Sequence, residues 1–359
     1  MNVGNLARFS RFIKKASSGE PVTVCFLGGS ITQDSHATKH ENCYAYRVFR
    51  WLTEHFPDSS MTYVNAGIGA TTSQFGVARV DADVLSAKPD LVFCEFCVND
   101  ENNAFYQECF EGLLRRILLC ETEPALFITN NARYDDGSNA QEVHNEIALY
   151  YELPIVSVKD SIYEEILLGN LEASSVSTDM LHPNDLGHEY LAGLITNLLE
   201  IILEKTSAPD FKDPLKPVPF AFTRNRYENS VRIRQDGQII HNRGFLADTE
   251  KQWGVRDIFK NGFLAKEKGA TITFLVSASK ISVQFRQTVR HPAPVAEVSV
   301  DDQVVSVLDS NFDENWGDFL CLKDVYETRT RGNHKVTITV TDYPEASETG
   351  FYLVSLILC

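Results

Sequence analysis

Positive charge is scarce in this chain. Its 359 residues carry 33 Lys and Arg against 49 Asp and Glu, a formal net charge of −16. That balance argues against a nucleic-acid surface, which needs a basic face to neutralise phosphates. Long apolar runs are missing too: no segment reads as long enough to span a membrane, so no membrane partner is expected. The stretch Met1 to Lys15 lacks the unbroken apolar core and cleavage site of a secretory signal and reads instead as a short amphipathic helix. A cytoplasmic location is therefore the expectation. Eight cysteines are present, several inside apolar runs, the pattern of buried free thiols in a reducing compartment. No repeat or low-complexity tract appears.

With 43% hydrophobic residues, the chain has enough apolar side chain for two domains with cores of their own. Up to about residue 205, strand-like runs (Val22 to Leu27, Met61 to Asn65, Leu91 to Phe96, Ala125 to Thr129, Ile155 to Val158) alternate with helix-like ones (Tyr44 to His55, Phe105 to Cys120, Glu142 to Tyr151, Glu189 to Glu204). Alternation of this kind predicts an α/β fold, a parallel sheet with helices on both faces. A Pro-rich linker follows over 206–220. From 221 to 359 short alternating strands dominate: Thr271 to Val276, Lys280 to Arg286, Ala296 to Val300, Gln303 to Leu308, His334 to Thr341 and Phe351 to Leu358. They predict an all-β domain, a β-sandwich of jelly-roll type, with Asp301-Asp302 in a tight hairpin turn.

The chemistry concentrates in the first half. Ser30 ends the run Val22 to Leu27 in the segment Gly28-Gly29-Ser30-Ile31-Thr32, which places it at the C-terminal end of a buried strand, where open parallel sheets carry their sites. Alone it is equally a turn or a helix cap. Far downstream, Asp179-Met180-Leu181-His182-Pro183 offers what a serine hydroxyl needs to become a nucleophile: an imidazole to take its proton and a carboxylate to orient the imidazole.

With these residues in view the chain resembles the SGNH (GDSL-like) hydrolases, whose sequence blocks occur here in order over roughly the first 205 residues. Block one is Gly28-Gly29-Ser30-Ile31-Thr32, a variant associated with carbohydrate-esterase-like members; block two is Asn65 to Ser73; block three is Cys97-Val98-Asn99-Asp100; block five is Asp179 to His182. The resemblance implies a flavodoxin-like catalytic domain, Ser30 as nucleophile, His182 as base and Asp179 as its orienter. It also implies an oxyanion hole from the N–H of Ser30, the N–H of Ala70 (Gly69 if the register is one residue off) and the side-chain amide of Asn99. Ala70 stands where the family has glycine, and it keeps the donor provided its φ stays negative. Cys97 replaces the glycine of block three and either narrows the pocket beside Asn99 or faces the core.

Other constellations are read more plainly. Cys94 and Cys97 have redox or zinc spacing but no partner pair, and residues three apart in a strand face opposite ways. His182, Asp185 and His188 with Asp179 imitate a metal site, but a solvated helix start accounts for them, and neither metal nor cofactor is expected. Glu95 and Asp100 suit capping or buried hydrogen bonding; Arg79, Asp81 and Asp83 suit surface pairs on a helix. Trp253, Trp316, Tyr326 and Tyr343 offer faces for sugar rings, though filling a core or an interface is favoured. The expected function is hydrolysis of a small acyl ester, an O-acetyl group on a sugar or oligosaccharide, through an acyl-serine. A lipase or thioesterase shares the machinery, and a catalytically quiet carbohydrate-binding protein is the reading from another class.

Overall fold

The structure, a computed structural model, describes residues 2–359 apart from Pro209. The chain divides into two units, Met1–Glu228 and Asn229–Cys359. Unit 1 holds five strands, β1 (Val22–Gly28), β2 (Met61–Gly67), β3 (Leu91–Glu95), β4 (Ala125–Asn130) and β5 (Ile155–Ser157), in the order β2-β1-β3-β4-β5. All pairs are parallel, which is the flavodoxin-like order. Every residue of β3 and β4 is buried, as continuous apolar runs covered on both faces require. The register sets Phe26, Phe93 and Phe127 side by side, with Phe26 stacked on Phe93 at 4.7 Å and Phe127 5.2 Å further on. Strand order reverses at β1, between β2 and β3, and the crevice beyond the strand ends at such a switch point is where these sheets bind ligands.

Nine helices accompany the sheet among the described residues: α1 (Ala7–Ser17), α2 (Ser30–Gln33), α3 (Tyr44–His55), α4 (Ser73–Asp83), α5 (Ala104–Leu118), α6 (Gln141–Tyr150), α7 (Ile162–Leu167), α8 (Ala173–Val176) and α9 (Asp185–Ser207). Helices α1, α3 and α9 share one core with the Phe26 row through Phe9, Val48, Leu52, Leu191 and Ile195. Helices α4, α5 and α6 pack on the strands from the other face. Asn103 caps α5 and Asn184 caps α9, each accepting two backbone N–H groups of the first turn. At 23 residues α9 has the length and composition of a membrane span, contrary to the expectation that no segment does. Its apolar face lies in the core of unit 1 instead.

The stretch read as a linker is fastened to unit 1. Asp213 accepts from the Leu6 N–H and the Asn5 amide, Lys216 pairs with Glu152, and Arg115 donates to the Pro219 carbonyl at 2.7 Å. Glu111, fully buried on α5, accepts from the Tyr151 hydroxyl and from the N–H groups of Phe222 and Thr223. One turn earlier Glu108 binds the backbone and guanidinium of Arg226. The first unit thus runs through Glu228 rather than ending near residue 205, because a segment without ladder partners finds its acceptors on α5.

Unit 2 is one antiparallel network of nine strands: β6 (Val231–Ile233), β7 (Ile239–Arg243), β8 (Phe245–Ala247), β9 (Phe263–Ala265), β10 (Thr271–Gln287), β11 (Val295–Val300), β12 (Gln303–Asp309), β13 (Phe319–Asp342) and β14 (Phe351–Leu358). Two runs that the sequence separates, Thr271 to Val276 and Lys280 to Arg286, are one 17-residue strand. Its register shifts between Ala278 and Lys280, and this slip keeps Ile272, Phe274 and Val276 in the same core as Ile281, Val283 and Phe285 although the parity of the positions changes. Asp301 and Asp302 both have positive φ, 51° and 67°, the backbone of the expected tight turn. Tyr326 and Tyr343 pack on this core, whereas Trp253 and Trp316 are 81% and 57% exposed.

Glu111→Ala is expected to lower stability by about 2–4 kcal/mol, since it strands several donors in a buried place. Thermal denaturation measures the loss, and limited proteolysis should find new cleavage between residues 210 and 228; an unchanged Tm with an intact strap would refute the role given to Glu111.

Candidate active site

Ser30 opens α2 directly after β1, and two glycines make that junction possible. A Cβ at Gly28 would lie 2.2 Å from Thr32 Oγ1 and 2.5 Å from the Glu95 carbonyl oxygen; one at Gly29 would lie 2.4 Å from Asn99 Oδ1. The glycines are therefore required for close approach, which lets α2 fold back over the strand end and Asn99 come alongside it. Block two is bound to the same place: Asn65 donates to the Thr32 carbonyl at 2.8 Å, and the Gly69 N–H donates to Gln33 Oε1.

Residues 152 positions apart meet here. Ser30 Oγ lies 2.8 Å from His182 Nε2, and His182 Nδ1 lies 2.6 Å from Asp179 Oδ2. The other carboxylate oxygen accepts the backbone N–H groups of Leu181 at 3.0 Å and His182 at 2.7 Å. Partial burial would raise the Asp179 carboxyl, but its hydrogen bonds from the His182 ring and these two N–H groups outweigh that and hold it well below the usual range. Ser177 donates to the His182 carbonyl at 2.7 Å and fixes the loop from behind.

The three expected oxyanion donors differ in how they are held. Gly69 is engaged with Gln33, while the Ala70 N–H has no partner among the described residues and is free to donate. Ala70 has φ 54°, so the expectation of a negative φ at this position is corrected: the position keeps the left-handed backbone that favours glycine, with alanine accepting the strain. Asn99 stands beside Gly29, and its Oδ1 is buried without a partner. Cys97 is fully buried, and its carbonyl accepts the Ala140 N–H at 2.8 Å.

Residues 26–190 match the model of the GDSL-like lipase/acylhydrolase family, a span that includes Ser30, Ala70, Asn99, Asp179 and His182. The match extends over both units in the crystal structure of a two-domain esterase active on acetylated mannans, which is 43% identical, with a TM-score of 0.95 over 99% of this chain and 96% of that one. The chain belongs to the GDSL-like lipase/acylhydrolase family. A second crystal structure, of a two-domain esterase active on acetylated mannans co-crystallised with mannopentaose, matches with a TM-score of 0.93 at 43% identity over 99% of this chain and 95% of that one. An acetylxylan esterase of Geobacillus stearothermophilus is 25% identical over 206 residues, covering 50% of this chain and 93% of its own.

Around the Ser30 turn this GDSL-like serine hydrolase buries charges that its sequence made look superficial. Arg79, expected in a surface pair, is 1% exposed. It donates to the carbonyls of Gly28 at 3.2 Å and Ala66 at 2.8 Å and pairs with Asp83 at 3.0 Å, so it ties the ends of β1 and β2 together. Burial lowers its pKa against the pull of Asp83. Asp100 has the expected structural role: it accepts from Ser73 N–H at 2.9 Å, at the start of α4, and meets His144 Nε2 at 3.0 Å. His188 lies apart from Asp179. Its Nδ1 accepts the Tyr44 N–H at 3.3 Å, which leaves Nε2–H to donate to the Ser35 carbonyl at 3.1 Å. The groups that do gather around Asp179 are His182 and His36, whose Nε2 lies 3.6 Å from Asp179 Oδ2. No sequence signal points to Gln33 or His36, since neither belongs to a block or to a spaced pattern.

Two buried groups give opposite pH dependences. Burial pushes Glu95 up to about 7, against a hydrogen bond from the Thr32 hydroxyl; burial pushes His188 down to about 4. A carboxyl raised in the fold stabilises fully below its unfolded value and less as pH rises toward 7, whereas a histidine lowered in the fold stabilises above its unfolded value and less as pH falls toward 4. The stability difference between wild type and Glu95→Gln should therefore fall by about 3 kcal/mol from pH 4.5 to pH 7. Chemical denaturation of both proteins across that range measures it, and a difference that is flat or rises with pH would contradict the assignment.

Proposed function

We propose that this GDSL-like hydrolase removes O-acetyl groups from a carbohydrate chain through an acyl-serine intermediate. The observation that carries the reading is the unbroken chain of hydrogen bonds from Ser30 Oγ through His182 to Asp179, at the strand end where the sheet order reverses. Ser30 attacks the ester carbonyl while His182 Nε2 takes its proton. Asp179, held ionised by its hydrogen bonds, fixes the Nδ1–H tautomer and stabilises the imidazolium that forms. The tetrahedral oxyanion is met by the N–H groups of Ser30 and Ala70 and the Asn99 amide, donors placed beforehand for charge that develops only in the transition state. His182 then gives the proton to the departing sugar oxygen, which leaves as the hydroxyl, and water deprotonated by the same base attacks the acyl-serine and releases acetate.

The substrate class is supported by the two-domain esterase active on acetylated mannans, similar over nearly all of both chains, and by the acetylxylan esterase similar over unit 1. An oligosaccharide partner is in keeping with the mannopentaose co-crystallised with such an esterase. The exposed indoles of Trp253 and Trp316 suit stacking on sugar rings.

Ser30→Ala should abolish release of acetate from acetylated mannan oligosaccharides and labelling by a fluorophosphonate, with Tm retained because a small residue at a turn packs little. Turnover in that variant would overturn the nucleophile. Asn99→Ala should lower kcat by about 10²–10³ with a smaller change in KM, as loss of an oxyanion donor does; an unchanged kcat in the chemical step would remove Asn99 from the oxyanion hole.

A further inference from the structure

We propose that His36, Asp179 and His182 form a zinc-binding site whose occupation switches the hydrolase off. The three residues each offer one ligand atom, all within 4.8 Å of one another. His36 Nε2 stands 3.6 Å from Asp179 Oδ2, and His182 Nδ1 stands 2.6 Å from the same oxygen. Ligand atoms around a tetrahedral Zn2+ with bonds of about 2.0–2.1 Å lie about 3.3 Å apart, so the His182–Asp179 contact has to open and the two imidazoles, within 4.8 Å of each other, have to close on the ion, which rotation of the part-exposed His36 and Asp179 side chains allows. Two imidazoles and a carboxylate are ligands of the kind zinc takes, with water in the fourth place.

The histidine that nothing in the ester chemistry uses is held ready for this. Its Nδ1 lies 3.2 Å from Thr178 Oγ1, and a ligating imidazole needs such a partner for its second nitrogen. The backbone on either side is pinned: the Ser35 carbonyl accepts from His188, and Asp185 accepts from the N–H and hydroxyl of Thr38. His36 itself has φ 64°, a conformation kept where surrounding structure imposes it. The side chains of His36 and Asp179 are 41% and 38% exposed, which leaves the ion an approach from solvent.

The consequence for catalysis rests on the reading of His182 as the base. Zinc on Nδ1 displaces the proton that this nitrogen donates to Asp179, and the neutral metal-bound imidazole then carries its proton on Nε2. That nitrogen can no longer accept the Ser30 proton. No bond to substrate is involved, so kcat falls while KM holds.

The test has one arm that passes through turnover and one that does not. Isothermal titration of Ser30→Ala with Zn2+ should show one site, and the affinity should drop about tenfold or more when His36→Asn is added, since one of three ligands is lost. Asparagine is chosen because it tolerates the positive φ. In the wild type Zn2+ should lower kcat at constant KM, chelation should restore it, and His36→Asn should raise the half-inhibitory concentration by the same factor, each protein being compared with its own metal-free rate. Mg2+ should do neither. Equal zinc affinity with and without His36, or no binding by Ser30→Ala, overturns the site. Absence of esterase turnover in metal-free wild type counts against the hydrolase reading alone, because the calorimetric comparison stands without it.

Discussion

A single Cβ added at position 28 or 29 would occupy space already filled by Thr32, the Glu95 backbone or Asn99. The site depends on that lack of room. Because neither residue has a side chain, α2 turns back over the end of β1 within two residues and Ser30 emerges at its head. The same crowding recurs one strand away, where a Cβ on Gly67 would lie 2.3 Å from Gln33 N. Three glycines thus let two strand ends and a four-residue helix share one small volume, and that contact sets where the hydroxyl, the Asn99 amide and the Ala70 N–H stand relative to one another.

Such a turn has exposed backbone acceptors and donors that must be satisfied away from water. Arg79 does this from one side, reaching the carbonyls of Gly28 and Ala66, and Glu95 meets the turn from the other, accepting from the Thr32 hydroxyl at 3.3 Å. Each is an ionisable group taken wholly out of solvent, and each responds in the direction burial dictates: the guanidinium is lowered and the carboxyl raised. The Asp179 carboxyl, near the surface and surrounded by donors, moves the opposite way. Three charged groups around one serine therefore sit in three different electrostatic settings, and only Asp179 has the one that supports an imidazolium.

Much of the fold was legible because apolar period and strand order survive in a linear sequence. The five parallel strands, α3 and α9, and the hairpin at Asp301-Asp302 all follow from local pattern and turn chemistry. Strands β6 to β9 did not, being three to five residues long and lacking the continuous burial that marks β3 and β5, which are equally short. The join within β10 was hidden for a different reason: the bulge at Ala278–Lys280 reverses the alternation, and a reversed alternation reads as two strands. The extent of unit 1 was hidden because its last stretch forms no helix or strand among the described residues and is held by hydrogen bonds to Glu108 and Glu111 and by single aromatics such as Tyr227 and Phe222, none of which makes a periodic pattern.

The sequence by itself determined the order of the blocks, the strand-end position of Ser30 and the identity of its two partners in the hydrogen-bonded chain, since a hydroxyl, an imidazole and a carboxylate are recognisable by residue type. It could not rank the remaining polar residues, because burial belongs to the fold and not to the residue. Arg79 looked like a helix-surface cation and proved to brace the Ser30 turn; His188 looked like part of a solvated helix start and proved to be buried and to hold a loop. His36 carried no sequence signal, yet tertiary structure set it beside Asp179 and His182. Only the packing of α2, α4 and α9 around the strand ends decided those roles, because it alone fixes which lone pairs and N–H groups are left to face one another.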